Sequence, residues 1–282
     1  MLPISIIAVI LGIVEGLTEF LPVSSTGHLI VADNLLKFKE MIGSADRAEL
    51  FEVVIQLGAI LAIGAIYRKQ LLASVSGLWT DVRTRSLANP SGKLGVNIIL
   101  AFLPAGLLGL AFHHLISTYL FSPLTVGITL ITGGIAIIFI EKNTDESGRI
   151  ITVDTMTRAD ALVVGLAQAV SMIPGTSRSA ATIMGGMLRG IKRASATEFS
   201  FLLAFPTMIA ASGFELIKYR HELTHDMIGL IAIGFVVSFV VALAVVAWFI
   251  RYVQRHEFTG FGVYRIVFGA IVLGLWATGH LG

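Results

Sequence analysis

The sequence predicts an all-α, polytopic membrane protein that forms a single integral membrane domain over residues 1–282. We expect about six spanning helices and two re-entrant helical hairpins, arranged as an inverted-topology repeat. Of the 282 residues, 55% are hydrophobic and only 13% are charged, whereas soluble domains carry roughly 25% charged residues. The mean hydropathy is +0.87, and apolar stretches of membrane-spanning length recur along the chain. These observations exclude an ordinary soluble enzyme.

Six apolar stretches are each close to the roughly 20 residues that a helix needs to cross a bilayer. They are residues 50–67, 94–113, 123–140, 199–217, 227–250 and 261–280. The chain contains no cysteine, which excludes disulfides and thiolate chemistry. Its net charge of +2 fits basic loops at a membrane surface, so we expect membrane lipid and no nucleic acid as a partner.

Two further apolar regions are interrupted near their middle, residues 2–36 by Pro22 and residues 159–188 by Pro174 and Gly175. Proline lacks an N–H group and clashes with the preceding turn, so each region should form two short helices. Each half is too short to cross the membrane alone. We therefore predict two re-entrant hairpins, whose irregular backbone must be satisfied by protein or by a water-filled cavity.

The two interrupted regions resemble each other. Residues 12–15 (Gly-Ile-Val-Glu) align with residues 165–168 (Gly-Leu-Ala-Gln), and after a one-residue slip residues 22–25 align with residues 174–177. Chance similarity between apolar stretches is the alternative explanation. We interpret the pattern as an internal repeat with one half at about 1–141 and the other at about 159–282.

The loop charges orient the predicted spans. If the loops with most lysines and arginines face the cytoplasm, thirteen of these residues lie inside and five lie outside, as the positive-inside rule requires. The first hairpin then enters from outside and the second from inside. Opposite insertion of two related halves defines an inverted-topology repeat, in which the broken helices meet at a binding site.

The first polar motif lies within residues 12–28. Glu15 and Glu19 are four residues apart, so a helix projects both carboxylates from one face. Ionisable groups at membrane depth are costly and mark a functional site by default. Hydroxyl residues suited to begin a new helix follow the proline, and an imidazole comes after them. These residues are Ser24, Ser25, Thr26 and His28.

The second polar motif is residues 174–182, Pro-Gly-Thr-Ser-Arg-Ser-Ala-Ala-Thr. The planar guanidinium of Arg178 suits phosphate or carboxylate, and the starts of the two second helices are anion sites. Neighbouring carboxylates would repel a phosphate unless a divalent cation, Mg²⁺ or Ca²⁺, lay between them. Ser25 and His28 are three residues apart, so either could attack phosphorus while the other, or Glu19, moves the proton.

Both motifs resemble the signature motifs of the bacterial undecaprenyl pyrophosphate phosphatases, the bacitracin-resistance protein family. The resemblance covers nearly the whole chain, including residues 51–58 (Phe-Glu-Val-Val-Ile-Gln-Leu-Gly). It implies hydrolysis of undecaprenyl pyrophosphate to undecaprenyl phosphate and inorganic phosphate, which recycles the lipid carrier of peptidoglycan synthesis and gives bacitracin resistance. It also implies a divalent cation and a multi-pass protein of the bacterial plasma (inner) membrane, with a site that opens towards the outer, periplasmic face.

The resemblance also assigns roles to individual residues. Glu15 and Glu19 become metal ligands or proton-handling residues. The expected catalytic residues are Glu19, Ser25, His28 and Arg178, and the expected phosphate contacts are Ser24, Thr26, Ser177, Arg178 and Thr182.

Two alternatives remain at this stage. A transporter or flippase of polyprenyl phosphate lipid would use the same architecture, because a fold does not determine a function. A purely structural scaffold would leave the buried charges unexplained. The sequence leaves the nucleophile and a homodimer open.

Overall fold

The computed structural model describes residues 2–85, 89–144 and 151–281, and this part of the chain contains twelve α-helices. In chain order they are α1 (Ile4–Thr18), α2 (Ser25–Leu36), α3 (Phe38–Ile42), α4 (Ala45–Ile66), α5 (Arg68–Thr84), α6 (Pro90–Tyr119), α7 (Pro123–Asn143), α8 (Arg158–Val170), α9 (Arg178–Leu188), α10 (Arg193–Lys218), α11 (His225–Tyr252) and α12 (Thr259–Ala277).

Six of the helices in the described residues are long and apolar enough to cross a membrane, namely α4, α6, α7, α10, α11 and α12. Each contains most of one stretch predicted from the sequence, and the bounds differ by a few residues at the ends. The prediction of an all-α polytopic membrane protein is therefore confirmed. The largest differences are at the end of α6, which runs to Tyr119 instead of 113, and at the start of α10, which begins at Arg193 instead of 199.

The two interrupted regions each form a pair of short helices. α1 and α2 flank a break at residues 19–24, and α8 and α9 flank a break at residues 171–177. Ser24 and Ser177 precede the second helix of each pair, and both have left-handed backbones, with φ of 72° and 71°. Such a backbone is uncommon for serine and costs about 1–3 kcal/mol.

The matching serines refine the internal alignment. Ser177 lies 153 positions after Ser24, the same interval that separates residues 12–15 from residues 165–168. With this constant interval no one-residue slip is needed. Pro22 corresponds to Gly175, and Ser25, the first residue of α2, corresponds to Arg178, the first residue of α9. The division into two halves and their opposite membrane orientation stay predictions.

Each hairpin is held by a spanning helix through residues without a side chain. A Cβ on Gly12 would lie 2.7 Å from the carbonyl oxygen of Gly234 in α11, and one on Gly16 would lie 2.7 Å from that of Ser238. In the second hairpin, Gly165 of α8 packs on the backbone of α6. Small residues let membrane helices approach this closely, so the first hairpin packs tightly on α11 and the second on α6.

The cytoplasm-facing loop predicted before residue 94 contains α5, a helix of 17 residues. α5 packs on α6, because a Cβ on Gly77 would lie 2.8 Å from the carbonyl carbon of Ser91. The sequence did not predict this helix, because its composition is too polar for a spanning segment.

Candidate active site

The two breaks meet in the interior of the protein. The hydroxyl of Ser179, at the start of α9, donates a hydrogen bond to the carbonyl of Leu21 in the first break, at 2.9 Å. The ring of Phe20 packs edge-on against Phe201 of α10, with centroids 5.5 Å apart. The guanidinium carbon of Arg178 lies 5.8 Å from the centroid of the same Phe20 ring. The tips of both hairpins therefore form one junction.

A buried arginine on α12 connects the tips to each other. Arg265 is fully buried, and its Nη1 donates to the carbonyl of Pro22 at 3.2 Å while its Nη2 donates to that of Gly175 at 3.0 Å. It also donates to the carbonyls of Thr129 and Leu130 in α7, at 3.2 and 3.4 Å. Backbone carbonyls in two breaks and one span thus satisfy a single guanidinium.

The second tip is pressed against α7. Gly175 has φ of 87°, and a Cβ there would lie 2.8 Å from both the Cα and the carbonyl oxygen of Val126. Thr129 donates to the carbonyl of Pro174 at 2.6 Å. A glycine is required at 175 for both the backbone angle and the close approach.

The junction brings Glu19, Ser25 and Arg178 together. The hydroxyl of Ser25 donates to Oε2 of Glu19 at 2.6 Å. Nη2 of Arg178 lies 3.5 Å from Oε1 of the same carboxylate. Both charged side chains are at most 10% exposed, so the pair is desolvated and its attraction is not screened by water. The arrangement is a hydroxyl beside a base, with a cation adjacent.

Only some of the N–H groups of Arg178 donate a hydrogen bond. Its Nη1 donates to the carbonyl of Ser200 at 3.2 Å, and the hydroxyl of Ser200 lies 2.6 Å from that of Thr182. Its Nε and Nη2 are buried and make no hydrogen bond within the part of the chain that the structure describes, although Nη2 is ion-paired with Glu19. A guanidinium with unused N–H groups suits a bidentate contact with phosphate.

A cavity of about 730 Å³ opens beside these groups, a volume typical of a site for a drug-sized molecule, roughly 300–1,000 Å³. The polar part of its lining contains most of the predicted site residues, namely Glu19, Ser24, Ser25, Thr26, Ser177 and Arg178. An apolar part extends between α6 and α10, along Phe102, Gly106, Gly109, Met208, Ala211 and Phe214. The cavity therefore combines an anion-binding end with a hydrophobic arm.

Three predicted site residues are not part of the cavity lining. His28 is held behind the first tip, with Nδ1 2.7 Å from the carbonyl of Ser24 and Nε2 2.6 Å from the hydroxyl of Tyr264. It also stacks on Phe268 of α12. The hydroxyl of Thr182 donates within α9 and contacts Ser200. Both residues therefore contact groups that border the cavity and not the cavity itself.

The third of these is Glu15, which is 1% exposed. Neither of its carboxylate oxygens has a hydrogen-bond partner among the described residues. Those residues include no group of three or more His, Cys, Asp or Glu side chains arranged to hold a metal ion. A cation held by Glu15 and Glu19 would thus need other oxygens to complete its coordination, such as those of a phosphate. The unsatisfied carboxylate of Glu15 fits such a cation.

The sequence model of the family described as bacitracin resistance protein BacA matches residues 8–271. This chain belongs to the BacA family. The match includes both breaks, the serines before α2 and α9, and the arginine of α12 that joins the tips.

Relatives within the BacA family match almost end to end. The chain is 49% identical over 272 residues to a protein of Dechloromonas aromatica named undecaprenyl-diphosphatase, with 96% of this chain and 94% of the relative covered. It is 51% identical over 266 residues to undecaprenyl-diphosphatase 2 of Rhodospirillum rubrum, with 94% and 93% covered. An undecaprenyl-diphosphatase of Pseudomonas fluorescens is 45% identical over 272 residues, with 96% and 94% covered.

Two residues of this candidate site were not predicted from the sequence. Arg265 carries a signal that is visible in the sequence, a lone arginine inside the predicted span 261–280, because an ionisable group at that depth requires a partner. Ser200 carries none, since one serine in an apolar helix does not reveal that it contacts Arg178 and Thr182.

Proposed function

We propose that this protein hydrolyses undecaprenyl diphosphate to undecaprenyl phosphate and inorganic phosphate at the junction of the two hairpins. The observation that carries the proposal is the Ser25 hydroxyl, bound to the Glu19 carboxylate in a cavity that Arg178 also lines. The near end-to-end relatives named undecaprenyl-diphosphatase support the same activity. The reaction returns the lipid carrier to peptidoglycan and envelope synthesis and accounts for bacitracin resistance, after which the family is named.

The diphosphate would bind at the polar end of the cavity. Arg178 lines this end, and α2 and α9 both begin there. The first N–H groups of a helix and the positive end of its dipole attract anions. Ser24, Thr26 and Ser177 line the same end and add hydroxyl groups. Two helix termini and one guanidinium are suited to a highly charged anion.

We propose Ser25 as the nucleophile. Its oxygen would attack the terminal phosphorus and form a P–O bond while Glu19 accepts the hydroxyl proton. The bond to the bridging oxygen breaks, and undecaprenyl phosphate leaves with that oxygen. Water then attacks the phosphoserine, which releases inorganic phosphate and restores the hydroxyl. Arg178 would stabilise the charge that develops on the transferred phosphoryl group.

His28 would act by positioning. Both of its ring nitrogens are engaged, one by the carbonyl of Ser24 and the other by Tyr264. Since His28 is not part of the cavity lining, attack on phosphorus by its imidazole would require both contacts to break. Its contact with Ser24 instead supports the strained backbone, with φ of 72°, from which α2 and the Ser25 hydroxyl start. Thr182 would play the corresponding part for Arg178 through Ser200.

Glu15 and Glu19 are the residues that would hold a divalent cation, Mg²⁺ or Ca²⁺, together with phosphate oxygens. Such a cation would neutralise charge on the diphosphate and orient the leaving group. The unpartnered oxygens of Glu15 support this proposal.

The lipid chain would leave the site along the apolar arm between α6 and α10. A cavity of about 730 Å³ takes a drug-sized molecule, which corresponds to the diphosphate and the first isoprene units. The remainder of the undecaprenyl chain would lie in the bilayer. The distribution of lysine and arginine supports an inner-membrane orientation in which the site opens to the periplasm.

Phosphate release from undecaprenyl diphosphate by the purified protein in detergent tests the proposal. We expect turnover by the unmodified protein and loss of it in Glu19→Gln and Arg178→Ala, with a cooperative thermal unfolding transition showing that each variant is still folded. Glu257→Gln is the matched control, because Glu257 is an exposed glutamate in the connection before α12. Full turnover by either site variant would contradict the assignment. A transporter without hydrolytic activity would release no phosphate at all.

A further inference from the structure

Helix α5 exposes a continuous apolar stripe. Leu72, Val75, Trp79 and Val82 are 68%, 66%, 71% and 74% exposed. They are spaced three or four residues apart, so they lie on one face of the helix. A single exposed leucine is ordinary, but a four-residue apolar stripe with a tryptophan indicates a surface that contacts another protein or a membrane.

The helix cannot turn this stripe inward. Its opposite face is packed on the beginning of α6, where Ser74, Gly77 and Asp81 are buried. The backbone N–H of Asn89 donates to Asp81 at 3.4 Å, and Gly77 allows close contact with Ser91. The stripe therefore points away from the described protein.

The exposed charges of α5 and of Arg85, which follows it, all have one sign. Arg68, Lys69, Arg83 and Arg85 are exposed cations, whereas Asp81, the acidic residue of the helix, is buried against α6. A polar strip runs beside the apolar stripe, with its members seven, four and three residues apart. It consists of Lys69, Ser76, Thr80 and Arg83. Apolar and cationic strips side by side are typical of a helix that lies in the plane of a membrane surface.

The position of α5 in the chain agrees with this geometry. It joins the end of α4 at Ile66 to the start of α6 at Pro90, so it lies where two spanning helices emerge on the same side. That side carries the excess of lysine and arginine and is the cytoplasmic one by the positive-inside rule. Anionic phospholipids there attract cations near the surface.

We propose that α5 is an in-plane membrane helix that binds anionic phospholipid of the cytoplasmic leaflet. The stripe, led by Trp79, inserts at the boundary between head groups and acyl chains. The cations bind phosphate-bearing head groups beside it. This site lies outside the cavity of the proposed hydrolysis and does not depend on that activity.

Tryptophan fluorescence tests the proposal with Trp79 as the single probe. A Trp248→Phe/Trp276→Phe variant is placed in nanodiscs of phosphatidylcholine with or without phosphatidylglycerol, and either lipid is supplied in brominated form. We expect quenching at least twofold stronger by brominated phosphatidylglycerol than by brominated phosphatidylcholine at equal amounts. Equal quenching would overturn the preference for anionic lipid. Quenching by aqueous iodide instead would place α5 in water, and protection from all quenchers would mean that a second copy covers the stripe.

Charge variants provide the matched control. Arg83→Gln/Arg85→Gln should abolish the preference for phosphatidylglycerol, while Arg251→Gln/Arg255→Gln, which removes the same charge from the end of α11, should not. Equal loss of the phosphatidylglycerol preference in both double variants would show that the preference depends on net charge alone, and it would overturn a lipid site on α5. Because the chain has no cysteine, a nitroxide on Val75→Cys gives an independent measurement of lipid or water contact. Thermal unfolding midpoints establish that each variant is folded without reference to activity.

Discussion

Replacing Arg265 with methionine should loosen the junction of the two hairpins, because it keeps an unbranched apolar stem but removes the guanidinium. The guanidinium bonds one carbonyl in each break, those of Pro22 and Gly175. It has no carboxylate partner in the part of the chain that the structure describes. Methionine supplies no donor, so both carbonyls would lose their partner inside the protein.

The magnitude follows from these two bonds. A hydrogen bond from a charged donor contributes roughly 1.5–3 kcal/mol, so the pair contributes about 3–6 kcal/mol before compensation. Methionine also avoids the desolvation cost of burying a charge, and this offsets part of the loss. The net destabilisation is therefore about 2–4 kcal/mol. A displacement of about 1 Å between reacting groups lowers the rate on the order of 100-fold. We therefore expect kcat to fall about 100-fold in the folded fraction, with a smaller change in KM.

Thermal unfolding and phosphate release on the same detergent sample measure both effects. Arg265→Lys should have an intermediate kcat and unfolding midpoint. An ammonium keeps the charge, but it lacks the planar fork with which the guanidinium reaches carbonyls of both breaks and of α7. Arg251→Met is the control, since Arg251 is exposed and donates to the carbonyl of Ala247 in its own helix. If Arg265→Met kept kcat within twofold and an unchanged unfolding midpoint, the guanidinium would not hold the tips together.

Three further outcomes follow from the site. His28→Gln should lower kcat about 10- to 100-fold and leave residual phosphate release, because it removes a positioning contact; complete loss with normal folding would favour His28 as the nucleophile. Gly109→Leu should fill the arm beside Met172 and raise KM for undecaprenyl diphosphate far more than KM for farnesyl diphosphate, and equal effects on both substrates would place the lipid chain elsewhere. Excess chelator should abolish phosphate release, which Mg²⁺ or Ca²⁺ should restore; activity that persists in chelator would argue against a cation at Glu15 and Glu19.

The spanning helices and the positions of both breaks were predictable from the sequence. Uninterrupted apolar length decides a spanning helix, and Pro22 and Gly175 lie in the breaks that they predicted. Amphipathic α5 was not found, because a helix at a membrane surface is neither long nor apolar enough to register as a span.

The sequence indicated residues that the fold brings together, but not the way in which they divide between the cavity lining and the groups behind it. Glu19, Ser25 and Arg178 line one cavity, whereas His28 and Thr182 contact other protein groups. Spacing along one helix indicates which side chains are neighbours and not which side of the helix faces the cavity. That choice depends on α12 and α10, which supply Tyr264 and Ser200 from distant parts of the chain.

Phosphorylation of Ser25 during turnover tests the central claim most directly. The protein is mixed with undecaprenyl diphosphate carrying a labelled terminal phosphate, quenched within one turnover and digested, and the labelled peptide is identified by mass spectrometry. We predict acid-stable label on Ser25 that disappears in Ser25→Ala. Label on His28, or phosphate release by Ser25→Ala at the rate of the unmodified protein, would contradict the account.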